Sequence, residues 1–441
     1  MKLIYVALIS FALVGCATHT KIEMHPDIEV EQILDLIDIP QDPAYHTKVI
    51  RKDILFSQSK YEKEYFRVWN LDKIDIELKD AMWAYDAFKA GESYGENLQL
   101  LEQDFFDSIL SNSNFKEYAT INQRAVTLDL VDVRAFPTNK PLLNDPSRAG
   151  EGFPFDYLQN STIAANKPLF ISHYSKDKEW VFVESSFAFG WVKTNSIVVL
   201  DKHHADSWQK AEQIVITKEG VPIYDEKGNF LFHSRIGMML ALISEDNGSF
   251  TVLTIGKYQG NKAYFLQSKI SKEISHKGIL NFNKQNITNT LTELQKTNYG
   301  WGGVYAQRDC SSTLRDFYAP FGLWLPRNSY KQSNLQQPIP LEGLSEGEVI
   351  DTIKKNAIPF ETLLYKQGHI VMYVGLLKDD IIIFQNVWGV KTKKENLEGR
   401  FVIGKPIFST LEVGKNLKNF DKNSSFLKNI KSLTRVTPSE P

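Results

Sequence analysis

"YGWGGVYAQRDCSSTLRDFYAPFGLWLPRNSYKQ" runs from Tyr299 to Gln332 and contains Cys310, one of two cysteines in 441 residues. Leu314, Phe317, Tyr318 and Phe321 follow it at helical spacing. Asp309 is of a type preferred at the N-cap, and Pro320 with Gly322 ends the pattern. The spacing predicts a helix that begins at or beside Cys310. A helix N-terminus carries unpaired N–H groups and partial positive charge. Both favour thiolate over thiol, and the thiolate is the nucleophile. The same N–H groups can receive a developing oxyanion.

A thiolate nucleophile needs a proton acceptor and donor. Beyond His276 the chain has a single histidine, His369, in "QGHIVMYVG", at the start of an apolar strand pattern. Something must orient its ring. The following run, "IIIFQNVWG", places Gln385 and Asn386 inside apolar sequence. Gln385 shares strand parity with Ile381 and Ile383, whereas Asn386 falls on the opposite face. These residues define a candidate Cys-His-polar constellation, with Gln385 preferred over Asn386. The alternative is a buried cysteine, an edge histidine and a polar interruption near a loop.

Around this segment the chain changes character several times. The start, "MKLIYVALISFALVGCATHT", has Lys2 followed by an apolar run that is too short to span a bilayer. Its close, Leu13 to Cys16, resembles the lipobox of bacterial lipoproteins. That resemblance implies cleavage of residues 1–15, lipid on Cys16 and a membrane anchor. Ala17 favours the periplasmic face of the outer membrane. Cys310 would then be the one free thiol of an exported protein, an odd count worth attention where disulfides form readily. Residues 16–30 read as a tether with a reach of roughly 45 Å. Residues 31–120 read as a helical wrap, from "IELKDAMWAYDAF" and "NLQLLEQDFFDSIL". Two blocks of short alternating strands follow, 121–200 and 201–275, joined by a helical link around Trp208. They suggest two small β-barrels. Residues 276–441 read as an α+β domain: a helix ending near Tyr299, a second at Cys310, three strand patterns, and a closing helical stretch near "SSFLKNIKSL".

Composition is that of a folded chain, 42% hydrophobic and 24% charged. A net charge of -2 gives no reason to propose a nucleic-acid partner. His203-His204 is not promoted to a metal pair. Asp156, Asp177, Glu179 and His173 read as structural, as do Trp301, Trp324 and the ion-pairing Arg327.

"GWGG…RDCSS", "LPRNS" and "GHIVMYVG" resemble the catalytic motifs of the NlpC/P60 cysteine peptidases of bacterial cell walls. "VRAFPT", "AGEGFPFDYLQNS" and "EWVFVESSFAFGWV" resemble the paired bacterial SH3 modules of that family's multidomain branch. The resemblance spans roughly residues 30–440. It implies an N-terminal helical wrap, two SH3-like barrels and a papain-like C-terminal domain. It also implies a hydrolase cutting peptidoglycan stem peptides or muropeptides between γ-D-glutamate and the next diamino acid, without metal or nucleotide. Cys310 would be the nucleophile, His369 the base and acid, and Gln385 the third polar residue, where histidine is commoner. Tyr299, Asp309, Ser311 and Ser329 would line the substrate cleft, with Asp309 keeping one oxygen free for the substrate's α-amine. The first barrel would restrict the cleft to short peptides with a free N-terminal L-alanine. Two other readings stay open: an inactive wall-binding lipoprotein, and a related cysteine amidase or acyltransferase.

Overall fold

The computed structural model describes residues 31–257 and 263–437. The leader, Cys16 and the tether lie outside the described residues. The protein is multidomain: a helical N-terminal region, two SH3-like β domains and a C-terminal domain of mixed helices and strands.

Seven strands between 123 and 199 form one antiparallel sheet. Both faces of its central strands are buried, because alternation there separates two apolar sets rather than core from solvent. Ile171, Val181, Val183 and Val192 fill the interior. Phe170, Phe182 and Trp191 point the other way and pack against Tyr65, Phe66 and Trp69 of the helical region. The buried Trp69 indole N–H is satisfied by the Ala125 carbonyl at 2.9 Å. After the helix Lys202–Lys210, the second β domain pairs five strands between 213 and 277, with a hairpin at 222–233.

The C-terminal sheet has six antiparallel strands, in the order Ile339–Pro340, Ile430–Arg435, Thr362–Lys366, His369–Leu377, Asp380–Lys394, Leu397–Thr410. One face carries Ile370, Met372, Phe384 and Phe408 against the helices Lys284–Leu294 and Cys310–Tyr318. The other carries Val371, Ile381 and Ile383 against Glu346–Asn356. The outer strand Leu397–Thr410 is a sheet edge, whose free N–H and C=O groups need partners. Residues near the start of the described chain supply them. The Asp35 carboxylate accepts from Thr410 N at 2.7 Å, and the Gln41 amide bonds both the N–H and the C=O of Phe408. His46 stacks on the Phe408 ring, 4.1 Å between centroids.

Several local expectations need correction. "IELKDAMWAYDAF" forms two short helices, Leu78–Ala81 and Trp83–Ala87, which break at Met82. In "NLQLLEQDFFDSIL" the helix starts only at Gln103, because Leu98 takes positive φ in a turn. The helix before Tyr299 stops at Leu294. The closing stretch is one helical turn, Phe426–Asn429, and then the strand Ile430–Arg435. Sheet pairing with Thr362–Lys366 outweighs local helix preference there.

Candidate active site

The Cys310 helix begins at Cys310, as its spacing predicts. Asp309 caps it in a reciprocal box: its carboxylate accepts from Ser312 N at 2.9 Å, and Ser312 Oγ accepts from Asp309 N at 2.9 Å. Cys310 is 7% exposed. Backbone N–H groups of Ser311 and Ile370 donate to its sulfur. Ile370 directly follows His369, so the start of the strand His369–Leu377 brings the His369 backbone up to the tip of the Cys310 helix.

A chain of hydrogen bonds fixes the ring. Ser409 Oγ donates to the Thr410 carbonyl and accepts from the Gln385 amide nitrogen at 2.7 Å. Gln385 Oε1 must then face the imidazole, 2.8 Å from His369 Nε2. A carbonyl oxygen only accepts, so Nε2 carries the proton and Nδ1 is the basic nitrogen. Asn386, the second choice for this role, is committed elsewhere. Its amide donates to the Arg308 carbonyl at 2.8 Å and to Thr313 Oγ1 at 2.9 Å, tying the sheet to the Cys310 helix.

The resting electrostatics depart from the thiolate expected at a helix tip. Burial first, and then the Asp309 carboxylate, push the Cys310 thiol up to about 12. The Ser311 and Ile370 N–H groups and Arg327 pull in the other direction without prevailing. Burial likewise lowers His369 to about 4, against the Gln385 bond. At rest both groups are therefore neutral, a thiol at Cys310 and an imidazole at His369.

Asp309 also departs from expectation. Its Oδ1 accepts from Ser311 Oγ, Ser312 N and Ser312 Oγ, and its Oδ2 from Gly302 N and Arg327. A carboxylate has about four lone-pair sites, so no oxygen is left free for an ammonium. Arg327 further donates to Ser311 Oγ at 2.8 Å and to Ser161 Oγ of the first β domain at 2.9 Å. The ion pair expected of Arg327 is made with Asp309, 18 residues earlier in sequence. Ser311 is buried inside this cluster. Ser329 opens the helix Ser329–Ser333, and among the described residues no hydrogen bond carries its side chain into the cluster.

Tyr299 faces Cys310, Asp309 and Arg327, and burial holds its phenol well above the usual range. Its ring lies 6.0 Å from Trp388. The first β domain completes this wall: Phe155 meets Trp301 at 5.5 Å and Trp388 at 5.6 Å, and Tyr157 meets Trp301 at 5.4 Å. Gly302 makes the approach possible. It has φ +60°, and a Cβ there would lie 2.1 Å from the Gln159 carbonyl oxygen. On the far side of the imidazole a cavity of ≈ 200 Å³ is lined by His369, Gln385, Lys366, Lys391 and Arg400. Asp156 bonds Arg134 and its own turn, and His173 is buried against Ser113 and Ser172.

Four family models match the chain. They are an N-terminal NlpC/P60 stabilising domain at residues 5–118, SH3 domains of the SH3b1 type at 141–193 and the SH3b2 type at 201–247, and the NlpC/P60 family at 296–397. Among solved structures, a novel NlpC/P60 endopeptidase from Photobacterium damselae subsp. piscicida matches with a TM-score of 0.78 and 23% identity, over 90% of this chain and 97% of that one. An NlpC/P60 family protein from Bacillus cereus ATCC 10987 matches at 0.43 and 16%, over 63% of this chain and 82% of that one. No curated protein sequence matches. Residues 296–397 thus match the NlpC/P60 family, with two SH3 domains between them and the N-terminal NlpC/P60 stabilising domain.

Proposed function

We propose that this NlpC/P60 protein is a cysteine peptidase that hydrolyses peptidoglycan stem peptides between γ-D-glutamate and the following diamino acid. One observation carries the proposal: the Cys310 sulfur sits at a helix tip against the N–H of Ile370, the residue after His369, whose imidazole is held by Gln385. The similar protein from Photobacterium damselae subsp. piscicida is itself an NlpC/P60 endopeptidase.

The neutral resting pair dictates the order of events. As Cys310 Sγ attacks the carbonyl carbon, its proton passes to His369 Nδ1. Charge appears only when substrate is in place. N–H groups at the helix start receive the oxyanion. His369 then protonates the departing amine of the diamino acid, the C–N bond breaks, and a thioester remains. Water attacks the thioester as His369 takes its proton, the C–S bond breaks, and the proton returns to the thiolate. Gln385 orients the ring throughout but brings no charge to imidazolium. The cavity beyond the ring, with Lys366 and Arg400 in its lining, suits a leaving group that bears a carboxylate. Asp309 has no place in amine recognition here, so a free N-terminal L-alanine is not required by this carboxylate.

Lipid on Cys16 would hold the enzyme at the periplasmic face of the outer membrane, with the two SH3 domains against the wall. Labelling of the protein by radioactive palmitate, abolished in Cys16→Ala, tests the anchor.

The activity is tested by digesting purified muropeptides and reading the products by mass spectrometry. Wild type should release a fragment ending in γ-D-glutamate, and Cys310→Ala should release none. Intact substrate in both would overturn the peptidase reading. A different broken bond would assign an amidase or acyltransferase.

A further inference from the structure

The helical region, both β domains and the C-terminal domain converge on a cavity of ≈ 40 Å³. It is lined by Tyr65, Lys167, Phe187, Arg235, Arg315 and Asp316, among others. The charges around it do not balance. Lys167, Arg235, Arg308 and Arg315 face only two carboxylates, Glu219 and Asp316.

Both carboxylates are already spent. Arg308 grips Glu219 through its two terminal guanidinium nitrogens, at 3.0 and 2.9 Å, and Ile236 N donates to the same carboxylate. Asp316 accepts from Arg308 Nε at 2.6 Å on one oxygen and from Arg315 at 2.7 Å on the other. Arg235 turns its remaining donors to the carbonyls of Ala306 and Gln307. Lys167 is left over. It is 8% exposed, and its Nζ lies 3.1 Å from the centroid of the Tyr65 ring, with no acceptor among the described residues. Arg315 Nε is buried and also lacks an acceptor, while its guanidinium carbon sits 3.7 Å over the Phe187 ring.

Excess positive charge, the buried Arg315 Nε without an acceptor and the Lys167 ammonium on the Tyr65 ring thus line the same small cavity. We propose that this cavity binds one small monovalent anion of halide size, chloride in the cell, held by Lys167 and Arg315. The volume admits a monatomic ion. Water could occupy such a space but would leave the charge uncompensated, and an unpaired buried charge is costly. Without an anion, burial and then Arg315 force Lys167 far below the ordinary lysine range. A bound anion lets it stay protonated and closes the charge balance where the four parts meet.

Crystals of the full chain soaked in sodium bromide, measured at the bromine absorption edge, test this directly. An anomalous peak in the cavity is expected, and its absence overturns the proposal. Thermal melts in chloride, bromide or gluconate at equal ionic strength provide the second arm. Both halides should raise Tm by roughly 2–5 °C over gluconate, and Lys167→Met should lose that difference. A bromide peak with no halide effect on Tm would mark an adventitious ion only and overturn the proposal. So would an undiminished halide shift in Lys167→Met. If Lys167→Met does not fold, the two measurements on the native chain decide.

Discussion

On the proposed mechanism, Gln385 does for the imidazole part of what a carboxylate does in a catalytic triad. It fixes the tautomer and leaves imidazolium unneutralised. His369→Ala removes the base and should lower kcat/KM by roughly 10²–10⁴-fold. Gln385→Ala removes only orientation and should lose less; equal losses in steady-state assays would contradict its role. The neutral pair has its own signatures. With Cys310 at about 12, alkylation by iodoacetamide at pH 7 should be slower than for an unhindered free cysteine. A fast reaction would mean a resting thiolate. With His369 at about 4, the acid limb of kcat/KM should lie well below the ordinary histidine value of 6.5. Stability follows the same group. Between 6.5 and about 4 the unfolded chain binds the proton that the folded site refuses, so stability falls as pH drops through that window. Buried His173, also at about 4, acts in the same direction. Urea midpoints at pH 7 and pH 5 would check the sign. In sequence, Cys310, His369 and Gln385 could be picked out by type, parity and helix position. Ser409, which sets the amide, and the shift that burial imposes on the thiol could not, because both depend on neighbours brought together only by the sheet.

At the level of elements, the turn before Cys310 is where two domains meet. Gly302 lets the first β domain approach as no residue with a side chain would. Gly302→Ala should push the strand Gln159–Ile163 away, costing about 1–3 kcal/mol and lowering activity through the displaced aromatic wall. Denaturant midpoints measured beside kcat/KM would show both effects; an unchanged midpoint would mean the contact is loose. Strong periodicity made the Cys310 helix and the buried strands legible. The N-terminal helices were less so, because Met82 and Leu98 break runs whose apolar residues still satisfy helical spacing. The strand Ile430–Arg435 was missed because its identity comes from pairing with Thr362–Lys366, some 70 residues earlier in sequence. The change from helical to strand-rich to mixed sequence gave the order of the parts, whereas the contacts between them had no local signature.

Across the whole molecule, the second β domain is bound to the C-terminal domain by charge. Arg308 is fully buried and bridges Glu219 and Asp316, while Arg235 holds the backbone just ahead of Cys310. Glu219→Gln should destabilise the chain by on the order of 3 kcal/mol, since it strands a buried cation. The loss should persist at 1 M salt, because buried pairs escape screening; melts at low and high salt would test this. The clasp of Asp35 and Gln41 on Thr410 and Phe408 has a consequence in time. Synthesis delivers the fastener 375 residues before the seam it closes. The growing polypeptide must carry an unmatched hook through all of that interval, so the rim of the C-terminal sheet stays unsealed until Thr410 has emerged, an open border ready to zip onto its neighbours.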